Sequence, residues 1–376
     1  MLFSLSDEQA ELAAMVRDLL RKRSGSQAVR EAVSEPKGYD ESLWSVLCEQ
    51  VGAAALAIPE EYGGAGFTLF ETHLVLEELG AALTPSPLLG SGVLAAQALL
   101  LSGNDDACAE LLPGIASGGH VAALAWAGAE GRWSAENLPV SARDDGSSWV
   151  VQGRAAYVLD GDHADVLLVV AQSPPGPVLL RVHPDQPGVR RTTSVTMDQT
   201  LRLATVDFAA AEAALVAPDA ERFLPMLRDI ACSAVSAMQV GAAQRCLDLT
   251  VSYAQQRVQF GRPIGSFQAL KHRMADMLVE VETARSAAWA AAWSAAQRDD
   301  ELPTRAATAK AWCSDALNRV AAETVQLHGG VAITWEHDAQ LYLKRAHATS
   351  QLFGQPHEHR ARLFALYELA DPVTSR

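Results

Sequence analysis

The sequence predicts an α+β chain built in three parts: an N-terminal helical domain, a middle β domain and a C-terminal four-helix bundle. Three observations carry this. Apolar residues recur at helical spacing over the first 117 positions, the texture then changes to short β-rich runs separated by turn residues, and from Asp219 long helical patterns resume to the end. The expected boundaries are residues 1–117, 118–217 and 218–376. At 376 residues the chain is long enough to bury substantial cores without disulfides or metals.

In the first part the periodicity predicts helices over 7–23, 41–51, 68–82 and 92–102. Ser6 and Gln9 form a capping-box pattern ahead of the first, which marks it as a domain-opening helix and not a signal peptide. Between the second and third lies Ile58-Pro-Glu-Glu-Tyr-Gly-Gly-Ala-Gly66, read as a tight interhelical loop or one bordering a cleft. Strands are predicted over 121–126, 148–152, 166–170, 178–182 and 204–208, with Asp144-Asp-Gly146 and Pro174-Pro-Gly-Pro177 as turns. Long helices follow over 220–256, 266–298, 302–328 and 336–369, the third started by Pro303. Trp289 and Trp293 share a helix face among alanines and predict packing.

Composition narrows the function. A net charge of −15 argues against nucleic acid, which demands a concentrated basic surface, and against anionic membranes. Five cysteines at wide spacings, with no C-x-x-C pair, fit buried thiols in a reducing cytoplasm. His357-Glu-His359 invites a metal reading, but neighbouring histidines on a helix diverge and no third ligand stands at a useful spacing.

The stretch with most chemical content is Arg257-Val-Gln-Phe-Gly-Arg-Pro-Ile-Gly-Ser-Phe-Gln268, followed by Gln326-Leu-His-Gly-Gly330. An arginine at a helix end beside Gly and Pro reads either as a surface ion pair or as a pyrophosphate clamp, because guanidinium meets phosphate oxygens in two-point geometry. Glycines closing a helix read either as a cap or as backbone that something must approach closely. Taken jointly, after an α-then-β layout, the two runs resemble those of the acyl-CoA dehydrogenase family over nearly the whole chain. The resemblance implies FAD, an acyl-CoA substrate and an electron-transfer flavoprotein or similar acceptor. It also implies that Arg257, Gln259, Phe260, Gln268, Gln326, Gly329 and Gly330 hold the adenosine diphosphate half of an FAD whose isoalloxazine sits on a neighbouring subunit. His328, inside the second run, reads as a packing residue.

Against the family pattern two things are missing. The common position of the catalytic glutamate, after the segment matching Leu341-Tyr-Leu-Lys-Arg-Ala346, falls on Gly354 in Leu352-Phe353-Gly354-Gln355. The alternative position, on the helix leading into Gly241-Ala-Ala-Gln-Arg245, falls on Ala231 or a near neighbour. Asp229 and Glu358 are the nearest carboxylates; Asp229 lies about 200° round the helix from Ala231. In the β domain, the family's flavin-ring motifs are replaced by Ala125-Trp-Ala-Gly-Ala-Glu-Gly131 and Tyr157-Val-Leu-Asp160. No catalytic residue is therefore assigned. The expectation is a cytoplasmic non-base subunit of an actinobacterial α2β2 acyl-CoA dehydrogenase, partnered by a homologous chain that carries the glutamate. The alternatives are a self-sufficient flavoenzyme of the same fold, with a relocated base or oxygen chemistry, or an interaction protein that kept the fold.

Overall fold

The computed structural model describes residues 4–146 and 148–370, with side chains to 367. A first helical block holds α1 (Asp7–Arg23), α2 (Ser26–Ser34), α3 (Glu41–Val46), α4 (Leu69–Ala82), α5 (Ala96–Ser102) and α6 (Asp105–Ala116). Both capping-box bonds at Ser6 and Gln9 form. α2 and α6 lie outside the four helices expected here. Two stretches wind as π-helix, Leu47–Val51 continuing α3 and Leu88–Ala95 leading into α5, a local geometry that periodicity does not reveal. The 58–66 loop is tight: a Cβ on Gly64 would come within 1.9 Å of the Ile58 carbonyl oxygen.

The middle block has β1 (Ala122–Ala125), β2 (Val140–Asp144), β3 (Trp149–Leu159), β4 (Val166–Ser173), β5 (Gly176–Val182), β6 (Val189–Thr193) and β7 (Leu203–Ala217). Pairing runs β4-β2-β3-β7-β5 and returns to β4, so the sheet closes into a barrel with β1 and β6 appended. Alternation follows from the pleat. Leu167, Val169, Leu180, Val206 and Phe208 fill the barrel interior, while Leu168, Val170 and Leu179 face the helices and join their core. β2 and β6 fall outside the expected strands.

The last block has α7 (Leu224–Gln256), a two-strand hairpin of β8 (Val258–Gln259) and β9 (Arg262–Pro263), then α8 (Gln268–Gln297), α9 (Leu302–His328), α10 (Ala339–Gln351) and α11 (Pro356–Ala370). The single helix expected over 336–369 is in fact two. It breaks at Leu352, whose backbone is extended, and restarts at Pro356, a residue suited to a helix's first turn. α4 and α7 cross backbone against backbone, because a Cβ on Gly80 would lie 2.2 Å from the Met238 oxygen and one on Gly241 1.8 Å from the Glu77 oxygen. Trp289 and Trp293 pack edge-on against Phe70, each at 6.2 Å. All five cysteines are buried and unpaired.

Barrel and helices are also joined by charge. Arg345 on α10 is fully buried and donates to Asp198 at 2.7 Å and to Thr200 at 2.5 Å, both in the segment before β7. Breaking such a buried pair typically costs about 3–5 kcal/mol, so this contact fixes the barrel beside the α10–α11 turn. None of the helices among the described residues is long and apolar enough to cross a bilayer.

Candidate functional site

The two sequence runs that carry the resemblance meet at one end of the helical bundle. α7 and α9 run parallel: Gln239 donates to Ser314 at 3.0 Å and, further along both helices, Thr250 donates to Thr324 at 3.1 Å. Beyond those contacts Tyr253 stacks on His328 with ring centroids 4.4 Å apart. Arg257, the residue that ends α7, and Gly329, which ends α9, therefore emerge together.

Arg257 is exposed and makes no side-chain hydrogen bond or ion pair with a described residue. Gln259, Gln268 and Gln326 are exposed as well; Gln259 donates only to the Val258 carbonyl beside it, and Gln268 faces His272 at 3.4 Å. Phe260 and Gly261 form the two-residue tip of the β8–β9 hairpin with φ +54° and +76°, the sign that twist-matched hairpin turns require at both central positions. Glycine adopts this freely, but a phenylalanine there is strained. Its ring is 89 % exposed and touches Phe267 edge-on at 6.1 Å, while Arg262 lies over Phe267 at 4.0 Å. A Cβ on Gly329 or Gly330 would meet nothing within 4 Å, so no side chain of this chain dictates those glycines; backbone there is open to approach from outside. Donors, open backbone and an arginine at one place fit the anionic, hydrogen-bonding half of a dinucleotide. His328 is buried, donates through Nδ1 to the Thr324 carbonyl at 2.7 Å and is a packing residue.

The other half of the family site is built differently. The α10–α11 turn carries Phe353 at φ +59° and Gly354 at φ +106°. Lys310 of α9, fully buried, donates to the carbonyls of Gly354 at 2.9 Å and Ser350 at 3.1 Å and to Ser314 at 3.2 Å. Burial pulls its ammonium down to about 8. His359 donates through Nε2 to the Phe353 carbonyl at 3.0 Å; burial and the neighbouring Lys310 push it down to about 3, so it stays neutral. Its neighbour His357 is exposed, and among the described residues no group of three or more His, Cys, Asp and Glu side chains could hold a metal.

Both substitute carboxylates are engaged, and Glu358 lies against this turn, its Oε2 3.5 Å from where a Cβ on Gly354 would stand. Asp229 is buried and both its oxygens accept from Arg362 of α11, the second at 2.7 Å. Burial raises its carboxyl above the ordinary range, against the opposing pull of Arg362. Glu358 is exposed and caps α11, accepting from the Gln355 N–H at 2.6 Å. Ala231, at the alternative base position, is fully buried. On the barrel side, Tyr157 donates to the Ala129 carbonyl at 3.2 Å, and Leu159 is buried.

Comparison with known proteins identifies the fold. Residues 6–119 match the acyl-CoA dehydrogenase N-terminal domain model and residues 232–363 the acyl-CoA dehydrogenase C-terminal domain model. The chain belongs to the acyl-CoA dehydrogenase family. It is an oxidoreductase of that family with the family's fold: helical, then β, then helical. Among curated relatives it is 45 % identical to the acyl-CoA dehydrogenase IpdE2 of Mycobacterium tuberculosis, over 95 % of this chain and 96 % of that one. Among solved structures it is 30 % identical to a chain of the ChsE4-ChsE5 complex from Mycobacterium tuberculosis, with a TM-score of 0.88 and 99 % of both chains covered. It is likewise 30 % identical to a chain of a variant of the Tcur3481-Tcur3483 steroid ACAD, with a TM-score of 0.87, 98 % of this chain and 99 % of that one covered. These likenesses support the heteromeric actinobacterial type within the family.

What the sequence did not disclose is the company around the missing base. Lys310 could have been found from its helix alone, since it shares the face of Ala306, Cys313 and Leu317, all buried, and a lysine on such a face is an anomaly. Trp133, which closes against the turn, lies in an irregular segment between β1 and β2 and carries no local signal.

Proposed function

We propose that this chain is the non-base subunit of a heteromeric FAD-dependent acyl-CoA dehydrogenase. It lends the adenosine-diphosphate arm, and a homologous partner supplies the flavin-ring pocket and the catalytic glutamate. The observation that carries this reading is the asymmetry of the two half-sites: Arg257, Gln259, Phe260, Gln268, Gln326, Gly329 and Gly330 are all exposed at one end of the bundle, while Gly354 and Ala231 stand where a carboxylate would act.

In this reading the Arg257 guanidinium holds the pyrophosphate and the open backbone at Gly329 and Gly330 admits the dinucleotide closely. FAD bound there would take the β-hydrogen of an acyl-CoA as hydride. The α-proton leaves to the partner's glutamate, a contribution of roughly 10²- to 10⁴-fold for a positioned base. The assembly would be α2β2 with two FAD, since only half of the composite sites have both halves, and an electron-transfer flavoprotein or similar acceptor would be its electron partner. The steroid dehydrogenase among its structural neighbours supports a steroid side-chain CoA thioester as substrate.

Co-expression with a homologous acyl-CoA dehydrogenase subunit, followed by the visible spectrum and mass of the complex and of each chain, tests it. Flavin at half a molecule per chain in the complex, and absent from this chain alone, is expected. Arg257→Ala should lower the flavin content of the complex. Full flavin on this chain alone would overturn the proposal.

A further inference from the structure

The walls that would enclose a flavin ring and a thioester on this chain are bridged by a single side chain. One wall is the α10–α11 turn with Phe353 and Gly354; the other is the barrel face with Tyr157 and Leu159. Trp133 lies between them, its ring centroid 5.2 Å from that of Phe353 and 5.9 Å from that of Tyr157. Trp133 is 8 % exposed and Phe353 3 %, and both belong to one continuous apolar core with Trp126, Leu159 and Leu352. An isoalloxazine and a thioester stacked between two walls make three contacts of about 3.5 Å each, and need that space free of side chains. Trp133 stands in it, tilted 58° to Phe353 and 51° to Tyr157 and in contact with both, so no flavin ring enters while the indole stays.

We infer that Trp133, with Phe353 and Tyr157, is a permanent internal replacement for the flavin ring: an aromatic plug that joins barrel to helices in this subunit without a cofactor. The plug is held from behind. The carbonyls of Phe353 and Gly354 are each taken by a buried donor, His359 at 3.0 Å and Lys310 at 2.9 Å, which keeps Phe353 in its strained conformation aimed at the indole. From the other side the segment carrying Trp133 is anchored by the Trp126 indole N–H, which donates to the Ser134 carbonyl at 2.9 Å. The inference concerns this chain's own cleft and stands apart from the composite-site reading, which concerns the opposite end of the bundle.

The test is cavity complementation with lumiflavin, an isoalloxazine that lacks the ribityl and nucleotide arm and so cannot bind through Arg257. The full-length chain and its Trp133→Ala variant are melted with and without the ligand, and lumiflavin fluorescence quenching is titrated on both. Removing the indole is expected to lower Tm by several degrees, and saturating lumiflavin to recover part of that loss in the variant while leaving wild type unmoved, as linkage to a folded-state site requires. Trp133→Phe, which removes less volume, serves if the alanine variant does not fold and should show a smaller loss and weaker binding. Equal lumiflavin affinity in wild type and variants would overturn the plug, as would a Trp133→Ala variant that melts like wild type. Because the readout needs no partner, failure of the plug and failure of the heteromer are separate results.

Discussion

Putting a carboxylate back at the family position should not revive this chain. Gly354 sits at φ +106°, a conformation that L side chains rarely adopt, and a Cβ there would come 2.9 Å from His359 Nε2. Backbone strain of this kind costs about 1–3 kcal/mol. Moving His359 aside would leave the buried Phe353 carbonyl without that donor, a further loss of about 1–3 kcal/mol. Gly354→Glu is therefore expected to destabilise the chain by about 2–6 kcal/mol, most of it already present in Gly354→Ala, because the conflict begins at Cβ. Urea unfolding gives the stability of both variants, and flavin content with acyl-CoA-dependent reduction of an artificial acceptor gives function. No turnover by Gly354→Glu alone is expected, and no rise in flavin in its complex. A Gly354→Glu chain as stable as wild type, or one that gains flavin and turnover, would refute the reasoning from backbone geometry.

Two further substitutions test neighbouring parts of the turn. Asp229→Asn breaks a buried ion pair with Arg362 and should cost about 3–5 kcal/mol while leaving turnover per flavin of the complex nearly unchanged; a hundredfold loss of turnover with unaltered stability would make Asp229 the base. Lys310 has a folded value of about 8 against 10.5 unfolded, so the unfolded chain binds more protons between those pH values and stability rises with pH across that window. Two and a half decades at about 1.36 kcal/mol each make about 3 kcal/mol, fully present as a penalty below pH 8 and relieved by pH 10.5. The unfolding free energy of wild type minus that of Lys310→Met should shift toward wild type by about that amount from pH 7 to pH 10.5; a difference independent of pH would contradict it.

The helical parts were legible where local chemistry decides. Ser6 and Gln9 announced the first helix, and the expected 302–328 helix is α9 as observed. The strands were found where apolar residues run together, and missed at β6, Val-Arg-Arg-Thr-Thr, a largely polar strand that pairs with β7. Reading 336–369 as one helix overlooked Pro356, although proline cannot donate the N–H that a continuous helix needs there. The runs around Arg257 and Gly329 were readable in sequence, but their proximity rests on α7 and α9 being parallel, which α8 makes possible by crossing back between them. The filled cleft was out of reach, because Trp133 meets Phe353 across more than two hundred residues and neither has a periodic neighbour to betray it.

Two Phe-Gly turns, built alike, carry opposite consequences. Phe260-Gly261 and Phe353-Gly354 both hold phenylalanine in the left-handed region, at φ +54° and +59°, followed by glycine at +76° and +106°. Left-handed backbone costs a bulky residue roughly 1–2 kcal/mol, so each turn persists only where other contacts over-determine it. At Phe353 those contacts lie inside the chain: Trp133 against its ring, Lys310 and His359 on the backbone. At Phe260 the chain supplies only a short hairpin and the edge of Phe267, and leaves the ring 89 % exposed. Phe260 thus keeps its ring open to anything that docks on this end of the bundle, whereas Phe353 is fully covered from within. One turn is left open to another molecule, and the other is closed by this chain's own side chains. That difference is what the proposed composite site requires of a subunit that lends a flavin arm and has no ring pocket of its own.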